Sequence, residues 1–153
     1  MIPPGALILL DTNVLVQLVR GNAAGKRIDS DYGLGVRPDR PLISLVTVGE
    51  AKSLALKFGW SQSKRNDLDG LLRQLVVVNI NAAGIPDMYA EIDHYSERVV
   101  KPARPMGKND LWIGATAAAV GAWLMTSDKD FDHLSPKFFQ RVRVDAQTGV
   151  TIP

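Results

Sequence analysis

Short apolar runs alternating with amphipathic helices predict an α/β domain on a mainly parallel sheet. Three observations carry that prediction: runs with no polar face, helical periodicity between them, and 153 residues that are 46% hydrophobic, enough for one core. Residues 6–10 (Ala-Leu-Ile-Leu-Leu) are apolar on both faces, as a central parallel strand should be. Residues 42–45, 75–78 and 122–125 repeat the pattern, while Val142-Arg143-Val144 alternates and fits an edge strand. Val48, Ala51, Leu54, Ala55 and Phe58 recur at helical spacing, with Lys52 and Lys57 off that stripe. A second helix is predicted over residues 61–72. A third opens near Pro86, a good first-turn residue, and runs through Tyr89, Ile92 and Tyr95. The fourth, over residues 110–120, is apolar nearly all round and should be deeply buried. Two stretches break the rhythm. Residues 20–41, rich in glycine and proline, read as a long loop holding at most a short helix, and residues 101–109 as a basic, proline-rich connector.

Composition narrows the function. With 18 basic and 16 acidic residues the net charge is +2, and the absence of cysteine excludes disulfides, thiolate zinc sites and a cysteine nucleophile. Met1-Ile2-Pro3-Pro4-Gly5 lacks the basic stretch of a signal peptide, and the first apolar run stops at Asp11. No apolar stretch approaches the roughly 20 residues that span a bilayer. A cytoplasmic protein with one domain over residues 1–153, and no membrane partner, is expected.

The informative feature is where acids fall. Asp11 ends the first strand, Glu50 lies about a turn into the helix after the second, Asp110 opens the buried helix, and Asp128 follows the last central strand. Ligands of an open parallel sheet bind beyond the carboxyl ends of its strands, so chain reversal there would gather all four at one edge. Each has a plainer explanation. Asp11 or Asn13 can cap a first helix, Thr47-x-x-Glu50 matches a capping box, Asp110 suits a helix start, and Asp128 with Asp130 suits a turn. Capping, however, does not require four acids to face one cleft. Two carboxylates ~4 Å apart repel by roughly 4 kcal/mol at an effective dielectric of 20, so such a cluster needs a counter-ion. Oxygen-only donors suit Mg²⁺ or Mn²⁺ rather than zinc. Without those four acids, twelve acidic residues remain against 18 basic ones, a net +6. A negative pocket in a positive body suits a phosphodiester. Lys52, Lys101, Arg104 and Lys108 are candidates for phosphate contacts. Gly114 and Ala117, on the face of Asp110, would let that helix sit close to the sheet. His94 and His133 group with nothing. Trp112 and Trp123 read as core, and Trp60 ends a helix without a basic cluster.

Leu-Leu-Asp-Thr-Asn after the opening strand, Ile-Ser-x-x-Thr-x-x-Glu, Asn-Asp-x-Trp-Ile-x-Ala-Thr-Ala and Thr-x-Asp-x-Asp-Phe follow one another in the chain. In that order they resemble the four blocks of the PIN-domain nucleases, most nearly the VapC-type toxins of toxin–antitoxin pairs, over about residues 7–132. The resemblance implies a three-layer, Rossmann-like α/β/α domain that cleaves RNA with Mg²⁺ or Mn²⁺. It places Asp11, Glu50, Asp110 and Asp128 at the metal, with Asp130 an outer or alternate ligand. Thr12, Asn13, Asn109 and Thr126 match supporting polar positions. It further implies a homodimer and an antitoxin partner. Residues 20–41 sit where such toxins have a helical hairpin that helps grip the antitoxin. An RNA-processing nuclease without an antitoxin, or a PIN-fold interaction subunit without turnover, are the alternatives.

Overall fold

The computed structural model describes residues 2–153. Six strands form one sheet in the order β3-β2-β1-β4-β5-β6, parallel throughout except for the last pair. They are β1 (Ile8–Leu10), β2 (Leu42–Ser44), β3 (Val76–Val78), β4 (Trp123–Thr126), β5 (Arg141–Val144) and β6 (Thr151–Ile152). The helices are α1 (Thr12–Arg20), α2 (Ala23–Tyr32), α3 (Leu45–Lys57), α4 (Gln62–Gln74), α5 (Ile85–His94) and α6 (Lys108–Val120). A π-helical turn (Tyr95–Val99) extends α5, and a 3₁₀ turn (Lys129–Leu134) follows β4.

Side-chain alternation along the strands sorts the core into two sides. Ile8, Leu10, Ile43 and Met125 join Val14, Leu15, Ile28, Ala51, Ala55 and Leu68 of α1–α4. Leu9, Leu42 and Leu124 join Ile85, Ile92, Ile113, Ala117 and Phe131 on the side of α5 and α6. This is the three-layer α/β/α arrangement expected, and each fully buried Leu, Ile or Phe contributes roughly 1.5–3 kcal/mol. The chain builds β1, β2 and β3 outward in one direction, then crosses over to lay β4 on the other flank of β1. Strand order therefore reverses between β1 and β4, where loops diverge and leave a crevice.

Several elements differ from expectation. Residues 20–41 hold α2, a full ten-residue helix. The Asn22 side chain caps it by accepting from Gly25 N at 2.9 Å, Ile28 and Ala24 bury its inner face, and Gly33 ends it at φ 57°. Gly25 lets α2 cross α1 backbone to backbone, since a Cβ there would overlap the Gln17 carbonyl. The turn before β6 does the same to α2: a Cβ on Gly149, itself at φ 73°, would overlap the Ala24 carbonyl. β5 is not an edge strand, because the two-residue β6 pairs outside it. Gly114 does not face the sheet. It abuts Leu134, Ile92 and Phe131 at ordinary contact distance, so α6 packs there against α5 and the 3₁₀ turn. Ser44 both closes β2 and caps α3, its Oγ accepting from Val46 N at 3.1 Å. The helix thus begins before Thr47, and the capping box does not form.

Among the described residues no helix is long and apolar enough to cross a membrane.

Candidate functional site

The crevice beside β1 and β4 opens into a cleft of about 490 Å³ lined by Asp11, Asn13, Glu50, Lys57, Asp110 and Asp128, among others. Asp11 sits at its floor, 4% exposed. β1 ends one residue earlier and α1 starts one residue later, so its carboxylate caps α1: Oδ1 accepts from Thr12 N at 2.7 Å. Oδ2 accepts from the buried Thr126 hydroxyl of β4, also at 2.7 Å. Each oxygen keeps a further lone pair for the cleft. Thr12 Oγ1 donates to Glu50 Oε1 at 2.7 Å, and Asn109 Nδ2 donates to Glu50 Oε2 at 3.0 Å. Elements on both sides of the sheet thereby fix Glu50. Thr126 Oγ1 also accepts from Asp128 N at 2.9 Å, and Asp128 Oδ1 from Asp130 N at 2.8 Å. Asp110 stands in the first turn of α6, whose dipole favours a negative charge there, but Gly107 is the cap residue.

The structure thus brings the sequence-predicted acids together. Asp110, Asp128 and Asp130 each offer an oxygen, all within 4.8 Å of one another. Burial raises the pKa of Asp110 to about 7, helped by the charges of Asp11, Asp128, Glu50 and Asp130. Burial likewise raises Asp11 to about 6 despite its two hydrogen bonds, with Glu50 and Asp128 adding repulsion. Every charge acting on Asp110 is another carboxylate. Among the described residues the ion pairs within 4.0 Å are Arg27–Asp31 and those of Asp132 with Arg141 and Arg143, none of which touches this cluster. An all-oxygen donor set with excess negative charge and no protein cation fits a hard divalent ion.

The basic candidates are scattered. Lys52 lines hollows between α3 and α4, away from the acids. Lys101 and Lys108 are exposed in and just after the connector, and Arg104 donates through Nη2 to Lys129 O at 3.3 Å. Residues that the sequence reading passed over take their place. Lys57 and Ser53 line the cleft, and Thr47 is buried with its hydroxyl 3.2 Å from Thr12 Oγ1. Thr47, Ser53 and Lys57 lie three before, three after and seven after Glu50, one face of α3, and that spacing would have found them. Trp112 packs on Tyr89 with ring centroids 4.4 Å apart, Trp123 borders the core, and Trp60 lies beside Phe58.

The family model of the PIN domain matches residues 8–136. The chain belongs to the PIN domain family. Among solved PIN-fold structures, it is similar to VapBC-1 from nontypeable Haemophilus influenzae, at 26% identity and a TM-score of 0.69 over 92% of this chain and 98% of that one. A toxin–antitoxin complex from Klebsiella pneumoniae is also 26% identical, with a TM-score of 0.60 over 84% and 92%. VapC20 of Mycobacterium tuberculosis, a toxin that cleaves the sarcin–ricin loop, shares the fold at 17% identity and a TM-score of 0.61, over 84% and 95%. No curated protein matches the sequence.

Proposed function

We propose that this PIN domain is a metal-dependent endoribonuclease of the VapC type, hydrolysing RNA phosphodiesters with Mg²⁺ or Mn²⁺ and held in check by a cognate antitoxin. The observation that carries this reading is the meeting of Asp11, Glu50, Asp110, Asp128 and Asp130 at the strand-order reversal, with none of them in an ion pair among the described residues. Similarity to the toxin–antitoxin complex from Klebsiella pneumoniae supports the partner.

In this reading Asp11, Asp110 and Asp128 hold the ion, with Glu50 beside them and Asp130 as a further or alternate ligand. Bound there, a divalent cation supplies Lewis acidity and lowers the pKa of water. The chain's own residues do the rest. Thr12 and Thr126 fix the rotamer of Asp11, and Thr12 with Asn109 fixes Glu50, so the donors are oriented in advance. Asn13, exposed at the cleft, is placed to hydrogen-bond the water or the ribose. Lys57 holds a phosphate at the far end of the cleft, and Lys101 and Lys108 extend the basic rim. Water adds across the P–O3′ bond, leaving a 5′-phosphate and a 3′-hydroxyl. Two copies of the chain form the working homodimer.

The test is degradation of single-stranded RNA by the purified protein with Mn²⁺ and with EDTA. Cleavage that requires the metal is the expected result. Its absence at millimolar Mn²⁺ would leave an interaction subunit as the better account.

A further inference from the structure

Two contacts outside the cleft reach the 3₁₀ turn Lys129–Leu134, which Asp128 caps and which contains Asp130, and a third joins their outer ends. Ser96 Oγ lies 2.8 Å from His133 Nε2. Arg104 Nη2 donates to Lys129 O at 3.3 Å, and Arg104 N donates to Ser96 O at 2.7 Å. The result is a closed triangle linking the end of α5, the connector and the turn. Ser96 is fully buried, so its hydroxyl cannot meet a substrate. The π-helical turn Tyr95–Val99 carries it, a conformation frequent at functional sites. On the opposite flank, Asp132 pairs with Arg141 at 3.1 Å and Arg143 at 3.7 Å, both on β5. The turn is therefore gripped from two sides.

Such a grip has a physical purpose. Asp110, Asp128 and Asp130 bring oxygens within 4.8 Å, and their mutual repulsion drives the turn outward. Phe131 and Leu134 anchor the turn in the core, but Asp130 is exposed, so that packing does not hold the acid itself. We propose that Ser96, His133 and Arg104 are positioning residues that hold the 3₁₀ turn against this repulsion and keep Asp128 and Asp130 facing Asp110. The proposal rests on reading the acids as a metal site. It gives Arg104 a task through a backbone carbonyl instead of an RNA phosphate. Burial, followed by the nearby Arg104 charge, lowers the pKa of His133 from its ordinary value, so the ring is neutral and a nitrogen can accept from Ser96.

Ser96→Ala and Arg104→Ala test it, read by Mn²⁺ titration calorimetry and by amide hydrogen exchange of the metal-free protein. Exchange over residues 127–134 should quicken at least ~10-fold while β1 and α6 keep wild-type rates. Mn²⁺ affinity should fall about 10-fold, within the 10–100-fold usual for partners that orient metal ligands. His133→Gln, whose side-chain amide Oε1 can accept from Ser96 at the same point, should preserve both readouts, whereas His133→Ala should not. Wild-type exchange and Mn²⁺ affinity in both Ala variants would overturn the proposal, as would a rise in exchange spread evenly over the sheet. Should Ser96→Ala fail to fold, Arg104→Ala, at a half-buried side chain, carries the decision. A wild-type protein that binds no Mn²⁺ would sink the metal reading, while exchange in the metal-free protein would still decide whether the tethers act.

Discussion

Asp11 and Asp128 follow neighbouring strands, yet the chain holds them in opposite ways. Asp11 is wedged between β1 and a nine-residue helix, is almost wholly buried, and has both oxygens engaged. Asp128 is half-buried and leads into a short turn whose next acid, Asp130, faces solvent. One donor is built into the core and fixed before any ligand arrives. The other two sit on a turn held by Thr126 within the site and by Ser96 and Arg104 from outside it. Rigidity in such a centre is thus concentrated at one strand end and borrowed at the other.

The largest effect should come from the rigid side. Asp11→Asn should cut RNA cleavage by about 10³-fold or more, on the order of 4 kcal/mol of barrier. Its metal-free melting temperature should stay level or rise, because burial already opposes the charge. A large drop in Tm would show that the carboxylate is structural instead. On the tethered side, cleavage assays should rank Asp128→Asn at about 100-fold and the exposed Asp130→Asn nearer 10-fold. Equal losses would erase the distinction between the two acids.

Stability against pH sharpens the contrast. The folded-state pKa values of Asp11 and Asp110, about 6 and about 7, lie above the ordinary aspartate value of 3.8. Ionisation therefore favours the unfolded chain, and the contribution of these groups is whole below about pH 4 and lost as pH rises through 7. Thermal melts of metal-free protein should register that loss. Mn²⁺ at about 100 times its Kd adds roughly 2.7 kcal/mol, or about 5–10 °C, and the gain should be greater at pH 7.5 than at pH 5. The smallest effect is expected at the cleft's far end. Lys57→Glu should raise KM for RNA about 5–10-fold and flatten the salt dependence of binding.

Four strands were legible because runs such as residues 6–10 and 75–78 are uniformly apolar, although β3, read like a buried strand, is the exposed edge of the sheet; the acids were legible because each stands near where a strand or helix begins or ends. α2 was not. It buries few apolar side chains and docks through Gly25, so it carries weak periodicity and a residue that ordinarily signals a loop. The apparent capping box misled for a similar reason: Ser44, still in β2, had already started α3, freeing Glu50 to bond Thr12 and Asn109. Lys57 and Ser53 escaped notice because nothing marks them until α3 is phased on Glu50. Tethers such as Ser96–His133 join residues 37 positions apart and leave no local trace.

Gly25 and Gly149 each admit a carbonyl where any other residue would put a methyl group. The consecutive helices α1 and α2 (around positions 17 and 24) and the distant turn at 149 consequently touch main chain to main chain, like stacked plates with no spacer. The lowest plate is α1, whose first residues orient the buried aspartate. A single added carbon at either glycine would wedge this stack apart, and the floor of the acidic cleft would register damage done well away from it.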